Sequence, residues 1–176
     1  MLKTLVDQLG PDTIVRFVRS SPLRIEEGDF LAEKHPLIAI YLYGYAAEMI
    51  LKAAYFKNSK FSSIDEIDRR SRNRAMALAQ TLGFMASDPH DIPGWARLLV
   101  WDKQTLHTPA YDANFSRKIV GKALTIYENW RPQMRYRNTT PPVSKVLTVR
   151  SEVGWLISKA HPAFRGVIPK CMSGGV

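Results

Sequence analysis

From Pro36 to Ala47 the chain runs twelve residues without a charge: Pro36-Leu37-Ile38-Ala39-Ile40-Tyr41-Leu42-Tyr43-Gly44-Tyr45-Ala46-Ala47. A helix over this stretch has no polar face, so it must be wrapped on every side by other elements. Twelve residues are too few for a bilayer, which needs roughly 20. Glu48 and Lys52 then interrupt the run. They lie four apart and meet on one side of a helix. An unpaired charge is costly to bury, so they are expected to face each other, solvent or a partner, and a structural ion pair is the plainer reading than a catalytic one. Gly44, Ala46 and Ala47 would let a neighbouring element come close. A rod of this kind dictates a helical core, and the rest of the chain has to supply its wrapping.

The remaining periodicity is also helical. Residues 11–19 predict a short first helix, with Pro11 in its first turn and a break at Ser21-Pro22. The long helix should span about Phe30 to Lys57, reset at His35-Pro36. Ser63 and Glu66 fit a capping box for a helix that buries Ile64, Ile67, Ala75, Leu78 and Leu82, with Gly83 at its end. A shorter helix follows Ile92-Pro93, its Trp95 and Trp101 filling core. Another runs from Asp112 to Trp130. A last one, about Val143 to Ala160, buries Val143, Val146, Leu147, Val153 and Ile157. No alternating strand pattern and no repeat is present. The expectation is an all-α, antiparallel helical bundle of five or six helices, a single domain over residues 1–168 with a loose tail at 169–176.

With 45% hydrophobic and 23% charged residues the chain is not disordered as a whole. A lone cysteine, Cys171, excludes a disulfide scaffold. No export signal is visible at the N-terminus, so a cytoplasmic protein without membrane association is expected. The formal charge of +9 is unevenly spread. Residues 1–88 hold 12 basic and 11 acidic side chains; residues 89–176 hold 13 and 5. Such an excess favours polyanionic partners.

Little catalytic chemistry can be assembled. His35, His90, His107 and His161 are far apart in sequence, which argues against a helical metal pair. No phosphate-binding glycine loop and no nucleophile elbow occurs. Asp65, Glu66 and Asp68 suit a helix N-terminus. No metal or cofactor is expected, and the balance leans away from an enzyme.

Two basic segments are the candidate contact surfaces. The stretch Trp130-Arg131-Pro132-Gln133-Met134-Arg135-Tyr136-Arg137-Asn138 interleaves guanidinium and aromatic groups. Guanidiniums hold phosphate in bidentate fashion and aromatic rings stack on unpaired bases. Arg131, Arg135, Tyr136 and Arg137 are therefore candidates for nucleotide or RNA contact. Against this stands the plainer reading: Trp130 and Tyr136 fill the core and the arginines are solvated, since aromatics flanking a loop are usually packing anchors. Arg69, Arg70 and Arg74, with Arg72 and Asn73, form the second segment. A solvated helix surface, partly balanced by Asp65, Glu66 and Asp68 before it, is the plainer reading of them.

The central run Gly44-Tyr45-Ala46-Ala47-Glu48-Met49-Ile50-Leu51-Lys52-Ala53 resembles the central-helix pattern of HEPN-type domains, clearly over Leu37 to Tyr55 and loosely in helix order elsewhere. The resemblance implies an antiparallel helical bundle, a tendency to pair, and one of two activities. Active members are metal-independent ribonucleases with an arginine and a histidine separated by four to six residues; others bind nucleotides or partner proteins. Arg72-Asn73 and Arg137-Asn138 begin such a motif, but the four-residue spacing lands on Ala77 and Pro142, neither of which can act as acid or base. Arg97 and His107 are too far apart. The resemblance thus imports the fold and argues against the nuclease. The expected function is a noncatalytic binding module for RNA or a nucleotide. A protein-interaction subunit or homodimer, accessory to a toxin–antitoxin, nucleotidyltransferase or defence system, is the alternative. A degenerate ribonuclease using His107 or His90 ranks last.

Overall fold

The computed structural model describes residues 11–105, 113–136 and 140–160. Six α-helices occur among them: α1 (Ile14–Leu31), α2 (Pro36–Asn58), α3 (Arg69–Thr81), α4 (Ile92–Thr105), α5 (Ala113–Asn129) and α6 (Val143–Ala160). A short 3-10 turn, Pro132–Tyr136, joins α5 to α6. The fold is an all-α helical bundle, and no strand occurs among the described residues. His107, Arg137, Asn138, His161, Cys171 and the 169–176 tail lie outside the described residues.

Helix α2 is the hub. It packs against α1, α4, α5, α6 and the 3-10 turn, while α3 rests on α4. Fourteen of its 23 residues are buried, on all sides of the helix. It is long and apolar enough to cross a membrane, yet 61% of its most apolar window is covered by its neighbours. Pro36 occupies the first turn, where its missing N–H costs nothing. The expected reset at His35-Pro36 is therefore a full break between two helices.

Helix α1 departs from expectation in two ways. Pro11 precedes it, and Thr13 is the N-cap, its hydroxyl accepting the Arg16 N–H at 3.1 Å. The helix also runs straight through Pro22, where the sequence predicted a stop. An interior proline costs about 3 kcal/mol. The buried stripe Ile14, Phe17, Val18, Ser21, Ile25 and Gly28 continues across it. Packing that stripe on α2 outweighs the missing hydrogen bond. At Gly28 a Cβ would come within 2.4 Å of the Tyr43 ring, so only glycine allows the two helices this close.

The Ser63–Glu66 capping box does not form. The backbone there pairs with the segment before α1: Val15 N–H donates to Ser63 O (3.1 Å), Ile67 N–H to Asp12 O (2.7 Å), and Thr13 and Glu66 form a single antiparallel bridge. Helix geometry can begin only after this exchange, so Asp68 is the N-cap, accepting Ser71 N–H at 2.7 Å. Ile64, expected in the core, is 78% exposed, while Ile67 is buried. Gly83 ends α3 with a positive φ of 68°, as its position predicts. Helix α6 has the expected bounds, and Val146 and Val153 face the core as expected, but Val143 and Leu147 are exposed and Val149 and Leu156 face the core in their place. The apolar periodicity of this helix admits two faces, and packing on α2 selects one.

Candidate functional site

Two neighbouring features stand out at one end of α5: a buried ionic centre and a cleft. They share Trp130.

The ionic centre starts from Glu48 and Lys52, only 5% and 8% exposed, which form an ion pair on α2. Lys52 Nζ also lies 5.1 Å from the centre of the Trp95 ring. The third member is His90, which sequence spacing did not bring to Glu48. Its Nδ1 sits 3.0 Å from Glu48 Oε2 and 3.1 Å from Oε1, and its side chain is 34% exposed. The segment before α4 is braced to hold it there. His90 N–H donates to Asp88 Oδ1 (2.9 Å), the Trp95 indole N–H to Pro89 O (3.0 Å), and Gly94 N–H to Asp91 Oδ1 (2.8 Å). Burial pushes the Glu48 carboxyl up, but the His90 hydrogen bond and the Lys52 ammonium outweigh it and hold it below the ordinary range. The Glu48 carboxylate in turn holds the His90 imidazole above its ordinary value, against the opposing effect of burial. Burial also raises the Asp91 carboxyl. Among the described residues no buried side-chain nitrogen or oxygen lacks a partner.

Trp130 forms the partition. It is fully buried, its indole N–H donates to Tyr41 O at 3.0 Å, and its ring meets Tyr45 and His90 edge-on, with centroids 5.9 and 6.4 Å apart. Gly44 makes room for it: a Cβ there would lie 2.1 Å from the indole. Trp130 also lines a cleft of about 330 Å³ between α2, the end of α5, the 3-10 turn and the start of α6. Leu37, Ile40, Met134, Pro141 and Pro142 are its apolar lining, Asn129 and Thr140 its neutral polar lining, and Arg131 and Lys145 supply two positive charges against the one negative charge of Glu128. This size lies at the low end for small-molecule sites. Arg131 is pre-positioned. Its guanidinium carbon stacks 3.4 Å from the centre of the Tyr127 ring and one nitrogen donates to Trp130 O at 2.7 Å. The Tyr127 hydroxyl donates to Asp88 Oδ2 at 2.9 Å. Burial and that carboxylate push Tyr127 up to about 12.

The sequence-predicted residues divide accordingly. Arg131 lines the cleft. Tyr136 is 75% exposed at the end of the 3-10 turn, so it does not fill the core as Trp130 does. Arg135 belongs to the same turn, with its side chain outside the described residues, and Arg137 lies outside them altogether. Arg69, Arg70 and Arg74 share an open surface hollow on α3 with Asn73 and Ala77. Arg72 is turned away from it toward Asp12, at 2.7 Å. Lys145, Met134, Pro141 and Pro142 also line the cleft, and sequence spacing does not single them out as site residues. The mixed charge-and-aromatic stretch from Trp130 was the only signal pointing at this region. Among the described residues no group of three His, Cys, Asp or Glu is placed to hold a metal ion. Comparison with known families, with curated proteins and with solved structures finds no match to this chain.

Proposed function

We propose that the chain is a noncatalytic, HEPN-like binding module for RNA or a nucleotide, with the cleft beside Trp130 as its principal contact. The observation that carries this reading is the mixed lining of the cleft. Leu37, Ile40 and Met134 are suited to a base, and Arg131 and Lys145, which outnumber the one carboxylate, Glu128, are suited to phosphate. Stacking of Arg131 on Tyr127 fixes its guanidinium before any ligand arrives, which reduces the ordering cost of binding. Tyr136 stands exposed on the turn that forms one wall, where it can stack on an adjoining base. The arginines of α3 add positive charge elsewhere on the exterior. His90, one of the two histidines of the ribonuclease reading, packs on the Trp130 indole and is not among the residues that line the cleft, which favours binding.

The test is equilibrium binding of a labelled single-stranded RNA and of a nucleoside monophosphate. Two or three phosphate contacts predict an affinity for RNA that falls on the order of tenfold between about 50 mM and about 200 mM salt. Arg131→Ala with Lys145→Ala should weaken both ligands. Binding indifferent to salt and to this double substitution would refute the assignment.

A second reading, a protein-interaction subunit or homodimer, draws on an apolar shelf along α4 and α5 that includes Val100, Val120 and Leu124. A solution mass of a single chain by light scattering, together with no partner in a pull-down, would remove it.

A further inference from the structure

The ionic centre and the cleft are in contact through two routes. The first is Trp130, which lines the cleft and whose ring packs edge-on against His90. The second runs through Asp88. One of its carboxylate oxygens takes the His90 backbone N–H; the other takes the Tyr127 hydroxyl, and the Tyr127 ring carries the Arg131 guanidinium. Residues 88–90 therefore support both the wall and the cation of the cleft.

We propose that His90 is a proton-linked support of this cleft: a proton on its imidazole and an anion held against Arg131 and Lys145 stabilise each other. This rests on the cleft being an anion-binding site, as argued above.

The charges around His90 set the direction. From α2 it faces Glu48 and Lys52, with the Tyr45 ring beside it; Asp88 and Asp91 flank it on its own segment; Tyr127 and Arg131 stand at the end of α5. Glu48 and Lys52 balance one another. A positive charge on His90 and a phosphate held in the cleft that Trp130 also lines attract one another. Linkage makes the effect reciprocal: the ligand promotes protonation, and protonation promotes the ligand. Deprotonation also turns the Glu48–His90 contact from an ion pair into a neutral hydrogen bond, slackening the 88–90 support under Tyr127 and Trp130. Since Glu48 already holds the imidazole above its ordinary value, the change falls above pH 6.5.

The probe is a dinucleoside phosphodiester, whose single phosphate does not titrate near neutral pH. Its affinity is measured by calorimetry from about pH 6 to about pH 9, alongside an NMR titration of the His90 ring with and without it. Affinity should fall about fivefold as pH rises, the low end for coupled sites. Protons should be taken up on binding, and the His90 midpoint should move upward when the probe is bound. His90→Gln should flatten the profile. The NMR comparison uses the unaltered chain, so a variant that folds poorly leaves the test intact. Binding that persists with a level pH profile and an unmoved His90 midpoint overturns the linkage while leaving the cleft assignment standing. No binding at any pH overturns both.

Discussion

The two basic regions of this bundle are built on opposite plans. The arginines of α3 stand on a helix that buries only Ala75 and Ala79, rests on α4, and displays its charge over an open hollow. The Arg131–Lys145 cleft is concave, and its back wall, Trp130, is part of the core. Its cation is fixed on an aromatic ring that is itself tethered. Formal charge favours α3; pre-organisation favours the cleft. The difference teaches that charge density alone does not make a site. What distinguishes the cleft is that its polar groups are held by residues already committed to the fold.

The sharpest contrast should come from stability. Trp130→Ala removes a core side chain and the wall of the cleft, and should cost about 3–5 kcal/mol in urea denaturation. Arg70→Ala with Arg74→Ala should stay within about 0.5 kcal/mol per substitution. Glu48→Ala strands the Lys52 ammonium inside the bundle and should cost about 3–5 kcal/mol. Gly44→Ala drives a methyl group into the indole and should cost about 1–3 kcal/mol by the same measurement. In RNA binding, Arg131→Ala with Lys145→Ala should weaken affinity more than Arg69→Ala/Arg70→Ala/Arg74→Ala, although the triple variant removes more charge. The triple should chiefly lower the slope against salt, by about 2. A triple variant that loses the most affinity would reverse the comparison. The smallest effects concern pH. His90 has a raised folded value, so its contribution is complete below pH 6.5 and is lost as pH rises through that raised value; a shallow loss of stability on the alkaline side, absent in His90→Gln, is expected. Asp29 is held low, first by its bidentate hydrogen bond with Arg150 at 2.6 and 2.8 Å. Its contribution is present above pH 3.8 and lost as pH falls through the lowered value. The pair is well solvated, so Asp29→Asn should cost at most about 1 kcal/mol.

The sequence carried the architecture further than the site. The uninterrupted apolar run from Pro36 fixes a central helix because no other arrangement buries all its faces, and the Glu48–Lys52 spacing places their pairing on one side of it. Local signals misled where distant backbone competes. Ser63 and Glu66 satisfy a capping rule, yet the Ser63 carbonyl accepts from Val15 and Glu66 bridges to Thr13; Pro22 breaks a helix in isolation, yet a continuous stripe carries α1 across it. The site was legible only as a stretch of mixed charge and aromatics after Trp130. That His90 would meet Glu48, 42 residues away, depends on how the segment before α4 is turned by Asp88 and Asp91. Nor does spacing indicate that Lys145 and two prolines line one cleft with Arg131.

Because α2 is covered on different sides by α1, α4, α5 and α6, its sheath is assembled from segments spread along most of the chain. During synthesis α1 can clasp it at once, but the flank destined for α6 stays bare until Val143–Ala160 has left the ribosome. Nascent chains should therefore lean on holdase chaperones until α6 emerges, and a premature stop before Val143 should yield an aggregating fragment, not a smaller working domain.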